Sequence, residues 1–314
     1  MARSRSEWNK RFEHWQRPAS DSEEATIERA AGMVRDALGR SAWLADEVVA
    51  VHPQGSYHNN TNVRLDSDMD LRAQHPGLKV QYAENVHVEA ADYALQYTLS
   101  SLTLADQNAR MRSEMATALR STFGAGNVDD TGNRAIHVKG IPGTRAEVDV
   151  VPTFTLHYVS WAGTGLNYDT IRGVAIRSRT TEDWTFNFPE QHRANGVAKR
   201  SRTKLRFKRS VRMLKRLRNE MADLGVEAAA PIRSFLIECL AYRVEDHCYL
   251  VDTDDHFDRT CRIVYRLQEL MADPAWVANA TEINDVKRLF GPWQRWTPKE
   301  VTAFLTAARS HLGA

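Results

Sequence analysis

The stretch from Gly55 to Leu71 reads GSYHNNTNVRLDSDMDL, and it decides how the 314-residue chain is interpreted. Its last residues alternate acidic and apolar side chains, the pattern of a half-buried strand. Alternate side chains of a strand share a face, so Asp68 and Asp70 project together. Met69 and Leu71 then point into a core. Paired carboxylates repel each other unless a cation neutralises them, and they are ligands that Mg²⁺ prefers. The stretch therefore predicts a strand that carries a metal site.

Two further features extend this predicted site. Gly55 and Ser56 lie just upstream, where glycine allows a close backbone approach and the serine hydroxyl can donate to phosphate oxygens. A later segment, Glu147–Val151, again alternates acidic and apolar side chains, with Glu147 and Asp149 on one face. If this second strand lies beside the first, Asp149 completes a carboxylate triad able to hold two metal ions.

The rest of the chain predicts an α+β protein. Helical spacing of apolar residues indicates a helix over 21–39 and helical structure over 89–123, and helices dominate from Gly196 onward. Strand-like segments lie near 48–52, 135–138, 146–151 and 173–177. A composition of 42% hydrophobic and 26% charged residues excludes a disordered chain. Since no apolar run suits a membrane span or a secretory signal, we expect a soluble, cytoplasmic protein without a membrane partner.

Positive charge is concentrated in one segment. Between Arg193 and Arg218 there are 12 Lys or Arg residues and no acid, so the rest of the chain carries 30 of the 42 basic residues against 40 acidic ones. Such a field suits an anionic partner, either nucleotide phosphates or a polynucleotide. On a helix through 204–220 we expect Leu205, Val211, Leu214 and Leu217 to supply the apolar contacts and most basic side chains to face solvent.

The motif resembles a known family. A Gly-Ser pair, an Asp-x-Asp pair about a dozen residues later and a single Asp on another strand are similar to the polymerase-β-like nucleotidyltransferase superfamily. More narrowly, the stretch from Gly55 to Leu71 resembles the bacterial cGAS/DncV-like nucleotidyltransferases, or CD-NTases, of antiphage signalling systems. Further segments resemble that family through nearly the whole chain: Asn187–His192, Phe207-Lys208, Val211–Lys215, Ser234–Glu238 and Leu289–Trp296.

This resemblance implies a fold and a division of the chain. The fold is a polymerase-β-like nucleotidyltransferase core with a mixed β-sheet, clasped by an N-terminal helix and a helical C-terminal lobe. Residues 1–190 form the catalytic core with its N-terminal helix. Residues 191–314 form the lobe, which is similar to that of oligoadenylate synthases and closes the active-site cleft.

The resemblance also implies roles for individual residues. Asp68, Asp70 and Asp149 match the catalytic carboxylates that bind two Mg²⁺ or Mn²⁺ ions, and Asp149 also accepts or positions the proton of the attacking hydroxyl. The remaining matches concern the nucleotide, and Phe235 departs from the base-stacking Tyr of animal relatives. The predicted nucleotide-binding residues are Gly55, Ser56, Lys215, Ser234 and Phe235.

The implied function is synthesis of a cyclic di- or trinucleotide second messenger from NTPs, ATP among them, with release of pyrophosphate in CBASS antiphage signalling. The implied partners are a downstream effector that needs no direct contact and a regulatory or conjugating protein at the C-terminus. Nucleic acid is neither required nor excluded. Two alternatives stay open: a linear oligonucleotide synthase or template-free polymerase of the same superfamily, and a catalytically inactive nucleic-acid-binding module.

Overall fold

The computed structural model describes residues 3–63, 69–98, 103–250 and 255–314. The chain divides into two compact units. The helical unit comprises the described residues of 1–20, 56–67 and 190–314, and the sheet unit comprises those of 21–55 and 68–189. The sequence predicted a change near residue 190, with residues 1–190 as one core. The structure differs from that division, because the first helix and the segment that begins at Ser56 group with the C-terminal helices.

The described secondary structure contains both helices and strands up to residue 187 and only helices afterwards. The helices are α1 (Arg5–Trp15), α2 (Asp21–Gly39), α3 (Ala42–Asp46), α4 (Gly55–His58), α5 (Val88–Leu95), α6 (Leu104–Phe123), α7 (Pro189–Arg202), α8 (Arg206–Asp223), α9 (Ser234–Arg243), α10 (His256–Met271), α11 (Pro274–Asn279) and α12 (Pro298–Leu312). The strands are β1 (Ala50–Gln54), β2 (Met69–Tyr82), β3 (Val128–Asp129), β4 (Ile136–Val138), β5 (Val148–Trp161), β6 (Tyr168–Arg177) and β7 (Trp184–Asn187).

The sheet unit is built on one mixed sheet, as the sequence predicted. Five strands follow the order β1-β2-β5-β4-β3, and β6 pairs with β5 and with β7. The pairing of β2 with β5 is parallel, whereas the other pairings are antiparallel. Both central strands run for 14 residues, well beyond the predicted segments. Strand β2 continues through Pro76 and Gly77 because its register shifts between His75 and Leu78, which accommodates these turn-forming residues.

The predicted helix over 21–39 is confirmed as α2. Its apolar residues, from Ile27 to Leu38, are buried, and α2 packs against α6. The predicted helical region 89–123 is divided into α5 and α6, since α5 ends at Gln96 in the left-handed conformation. Met111, Met115 and Leu119 of α6 are fully buried, as their spacing predicted.

The helical unit has its own apolar core. Trp8 and Phe12 of α1 are completely buried there, among residues of α8, α10 and α12. Their spacing places both rings on one face of α1, where they stack at 5.4 Å. Within the described part of the chain, no helix is long and apolar enough to cross a membrane.

The basic segment from Arg193 to Arg218 faces solvent only in part: eight of its twelve cationic side chains are exposed or half-buried. Four of its cationic side chains are at most 5% exposed, whereas Leu205, expected to supply an apolar contact, is 42% exposed. Leu205 precedes α8 in the left-handed conformation, which removes it from the helical face. The four buried cations are Lys199, Lys208, Arg212 and Lys215.

Candidate active site

The centre of the sheet places two of the predicted carboxylates side by side. In the parallel register of β2 and β5, Asp70 is the direct partner of Asp149. Neighbouring strands lie about 4.8 Å apart, and paired residues project from the same face. The apolar neighbours of both aspartates are fully buried on the other face of the sheet. The prediction that the second acidic strand lies beside the first is therefore confirmed for these strands, while Asp68 lies outside the described residues.

A histidine that sequence reasoning missed contacts this pair. His137 is the antiparallel partner of Asp149, and its Nδ1 lies 2.9 Å from Asp149 Oδ1. Its Nε2 lies 3.7 Å from Glu147 Oε1. The signal was present in the alternation of β4, because Ile136 and Val138 are apolar and leave His137 on the opposite, polar face.

Gly55 closes the site on a third side. It follows β1, whose Gln54 pairs with Asp70, and its φ of +70° lies in the left-handed region. A Cβ built on Gly55 would lie 1.9 Å from Asp70 Oδ2. Only glycine therefore fits between the backbone and this carboxylate.

The segment 56–61, here called the Ser56 turn, belongs to the helical unit. The Ser56 carbonyl accepts hydrogen bonds from the Thr61 N–H at 2.9 Å and from Thr61 Oγ1 at 3.4 Å. Asn60 is left-handed at φ +52°, and its N–H donates to the Tyr57 carbonyl at 2.9 Å. The turn is thus closed by its own backbone and orients Ser56 at its start.

Lys215 is buried beside this turn. Its Nζ donates to the Thr61 carbonyl at 3.0 Å and to Glu238 Oε1 at 2.5 Å. Only 2% of Lys215 is exposed. Burial acts to raise the pKa of Glu238, but the charge of Lys215 and the hydrogen bond from His192 outweigh it and lower that pKa to about 2. Glu238 is therefore ionised at neutral pH.

Ser234 and Phe235 begin α9 in the same unit. The Ser234 hydroxyl accepts a hydrogen bond from Arg218 Nη2 at 2.8 Å. Phe235 is 38% exposed, and its inner side contacts two aromatic rings. The centroid of His192 lies 5.6 Å away and that of Trp296 lies 6.2 Å away. Phe235 thus offers a supported ring to a planar ligand.

Asp70 and Asp149 are the two predicted metal-binding carboxylates that the structure describes. They supply only oxygen ligands, the class that Mg²⁺ and Mn²⁺ take. Among the described residues no three His, Cys, Asp or Glu side chains form a cluster able to hold a metal. The two carboxylates nevertheless suit a divalent cation, because they lie at paired positions beside a backbone that Gly55 brings close.

Comparisons with known proteins identify the family. Residues 194–313 match the model of the cGAS/DncV-like nucleotidyltransferase C-terminal helical domain. The cyclic dipyrimidine nucleotide synthase CdnE of Legionella pneumophila is 33% identical over 98% of both chains, and that of Cecembia lonarensis is 30% identical over 95% of this chain and 96% of its own. The solved Rhodothermus marinus CdnE c-UMP-AMP synthase with Apcpp and Upnpp superposes with a TM-score of 0.80 at 25% identity, covering 96% of this chain and 95% of that one. The predicted family, fold class and enzyme class are thereby confirmed: the chain belongs to the cGAS/DncV-like nucleotidyltransferases and is a nucleotidyltransferase.

Proposed function

We propose that this enzyme joins two NTPs into a cyclic dinucleotide and releases one pyrophosphate in each of two steps. The observation that carries the proposal is the pairing of Asp70 with Asp149 on adjacent parallel strands, with Gly55 closed onto Asp70. The relatives named above are synthases of cyclic nucleotides with different bases, which supports the ring and leaves the bases to be measured.

In each step a ribose hydroxyl of one nucleotide attacks the α-phosphorus of the other. The new oxygen–phosphorus bond forms as the bond to pyrophosphate breaks, and Asp149 accepts or positions the hydroxyl proton. His137 orients the Asp149 carboxylate through its 2.9 Å contact. A second attack, with the two nucleotides exchanging roles, closes the ring. Holding the reactants in line supplies most of the rate enhancement in this chemistry.

Asp68, Asp70 and Asp149 would hold two Mg²⁺ or Mn²⁺ ions. Such ions, when bound, favour the ionised form of the attacking hydroxyl and neutralise the charge of the departing pyrophosphate. The assignment of Mg²⁺ or Mn²⁺ is supported by the ligand type, because these carboxylates supply only oxygen atoms. Asp68 enters it from the sequence motif.

In this proposal five further residues contribute to nucleotide binding. Gly55 and Ser56 clasp the donor triphosphate through backbone N–H groups and a hydroxyl. Ser234 adds a hydroxyl at the start of α9, and the exposed ring of Phe235 stacks on a base. Lys215 adds positive charge that favours the triphosphate, although its described contacts go to Thr61 and Glu238.

The product acts as a second messenger in CBASS antiphage signalling, where an effector binds it without contacting the synthase. The resemblance of the Gly55–Leu71 motif to the antiphage enzymes supports this role. It also supports a regulatory or conjugating partner at the C-terminus. Since four of the twelve basic residues of Arg193–Arg218 are buried, a continuous polynucleotide surface is less favoured than the sequence suggested.

The decisive experiment incubates the purified enzyme with Mg²⁺ and labelled NTPs, singly and in pairs, without nucleic acid. We expect pyrophosphate release and a phosphatase-resistant product with the mass of a cyclic dinucleotide. A phosphatase-sensitive product would identify a linear synthase. Strongly salt-dependent nucleic-acid binding without pyrophosphate would identify an inactive binding module.

Variants test the carboxylates themselves. Asp68→Asn combined with Asp70→Asn, and Asp149→Asn alone, should abolish synthesis and leave the circular dichroism spectrum intact, because both changes conserve size and relieve repulsion. Asp169→Asn is the control, since Asp169 is an exposed aspartate of the same sheet. Retained turnover in either carboxylate variant refutes the assignment.

A further inference from the structure

Three buried cations of α8 contact one short stretch of backbone. They occupy positions i, i+4 and i+7, so the turns of the helix bring them to one face. Each donates to a different carbonyl of the Ser56 turn, and the three carbonyls are consecutive. The hydrogen bonds run from Lys208 to Asn59, from Arg212 to Asn60 at 2.8 Å, and from Lys215 to Thr61 at 3.0 Å. We call these three side chains the α8 ladder.

Burying these three cationic side chains would cost free energy if they had no hydrogen-bond acceptors. All three side chains are at most 5% exposed. A buried cation needs hydrogen-bond acceptors or a counter-charge. Burial and then the charge of Arg200 lower the pKa of Lys208 to about 8, which shows how strongly its surroundings oppose a bare charge. The carbonyls of the Ser56 turn supply acceptors, so the ladder and the turn stabilise each other.

Glu238 supplies the negative charge that the ladder faces. Its Oε1 accepts from Lys215 and, at 2.8 Å, from Thr61 Oγ1. Its Oε2 lies 3.3 Å from His192 Nε2. Since the His192 ring lies against Phe235, a single buried carboxylate connects the Ser56 turn with the exposed aromatic ring of α9.

We propose that Lys208, Arg212, Lys215 and Glu238 are positioning residues that hold the Ser56 turn in the shape that clasps the substrate triphosphate. This inference rests on the proposed function and deepens it. Lys215 then acts on the nucleotide through Thr61 and the turn. Lys208 and Arg212, which no motif singled out for the nucleotide, share that task.

The first test measures hydrogen–deuterium exchange of the full chain in the peptide covering 56–63. Lys208→Met removes the hydrogen bond to Asn59 at nearly constant side-chain size, and we expect the amides of the turn to exchange on the order of tenfold faster. Lys208→Arg keeps a cationic donor and should restore slow exchange. Unchanged exchange in Lys208→Met overturns the proposal.

A matched control distinguishes the loss of hydrogen bonds to the Ser56 turn from a general destabilisation of the helical unit. Lys199 is 3% exposed, and its Nζ donates to the Val244 carbonyl at 2.7 Å and to Asp246 at 2.9 Å, away from the turn. Lys199→Met therefore removes a similarly buried lysine, and it should leave exchange of the 56–63 peptide slow. Equal acceleration in both variants overturns the proposal. If Lys208→Met does not fold, the double variant Lys215→Met with Glu238→Gln removes the hydrogen bond from Lys215 to the Thr61 carbonyl and leaves no unpaired buried charge. The same criterion then applies to this variant.

The second test links the turn to the substrate. With Mg²⁺ and a non-hydrolysable NTP analogue, the 56–63 peptide should be protected in the wild type and in Lys199→Met, and less so in Lys208→Met. We expect Lys208→Met to raise KM for NTP by about tenfold with a smaller effect on kcat. An analogue that protects no peptide in the wild type contradicts the proposed function, whereas faster exchange in Lys208→Met still supports the ladder. Equal protection in all three proteins refutes the positioning role.

Discussion

At the scale of single residues, Gly55 is the position where geometry dictates identity most strictly. Its φ of +70° disfavours other residues, and the carboxylate of Asp70 fills the space that a side chain would need. These two constraints are independent, since the first concerns the backbone and the second a neighbouring strand. Gly55 therefore sets where the carboxylate of Asp70 lies.

We expect Gly55→Ala to lower kcat/KM for NTP by about a hundredfold, because displacement of a reacting group by about 1 Å costs that much. Steady-state kinetics measures the effect. Gly163→Ala is the control: Gly163 has a φ of +93°, but a Cβ there would meet nothing within 4 Å. Gly163→Ala therefore introduces backbone strain without a steric clash. If both variants lose equal activity, the contact with Asp70 does not matter.

The carboxylates on β2 and β5 could be predicted from the sequence, because the alternation of polar and apolar residues along a strand is a local signal. Asp70 and Asp149 alternate with apolar residues, which predicted that each lies on the polar face of a strand, and the two are paired in the structure. His137 carries the same signal in a strand of only three residues, too short to be recognised with assurance. Glu238 has no local signal at all, since its partners Thr61 and Lys215 are distant in sequence.

At the scale of elements, α8 illustrates why a pattern of charges misleads. Six consecutive residues, Ser210 to Lys215, are buried, so the buried surface of the helix extends beyond its apolar stripe and includes cationic side chains. Its cations are satisfied by carbonyls located 149 to 154 residues earlier in the chain. Helical periodicity cannot reveal such acceptors, so the sequence alone predicts that most of these basic side chains face solvent.

The ion pair between α8 and α9 predicts a pH dependence. The pKa of Glu238 is lowered from an ordinary 4.5 to about 2, so the stability it confers is present above pH 4.5 and is lost as the pH falls toward 2. Within this window the free energy of unfolding should fall by up to about 1.4 kcal/mol per pH unit from this group. Glu238→Gln should be less stable than the wild type at pH 7, with a gap that narrows below pH 4.5.

Urea unfolding at pH 7, 4.5 and 3 measures this gap. Glu84→Gln is the control, since Glu84 is exposed, and its curve should remain parallel to that of the wild type. A gap between the wild type and Glu238→Gln that stays constant from pH 7 to pH 3 would show that Glu238 is not held ionised by Lys215 and His192.

At the scale of the whole molecule, units of structure do not follow the order of the chain. Helix α1 could be predicted from the spacing of Trp8 and Phe12, but its place among the C-terminal helices could not. The apolar face of an amphipathic helix predicts that the helix packs against another element, but it does not identify that element. The same applies to the Ser56 turn, which lies between β1 and β2 in sequence and groups with the helical unit.

The final prediction tests whether α1 is an integral part of the helical core. Phe12 is fully buried, so Phe12→Ala should lower the free energy of unfolding by about 3–5 kcal/mol through lost burial and the cavity left behind. Lys10→Ala, an exposed position of the same helix, should change it by less than about 0.5 kcal/mol. Calorimetry of both variants measures the difference. Equal melting temperatures for the two would mean that α1 only rests on the surface, because an alanine in place of a core ring cannot be neutral.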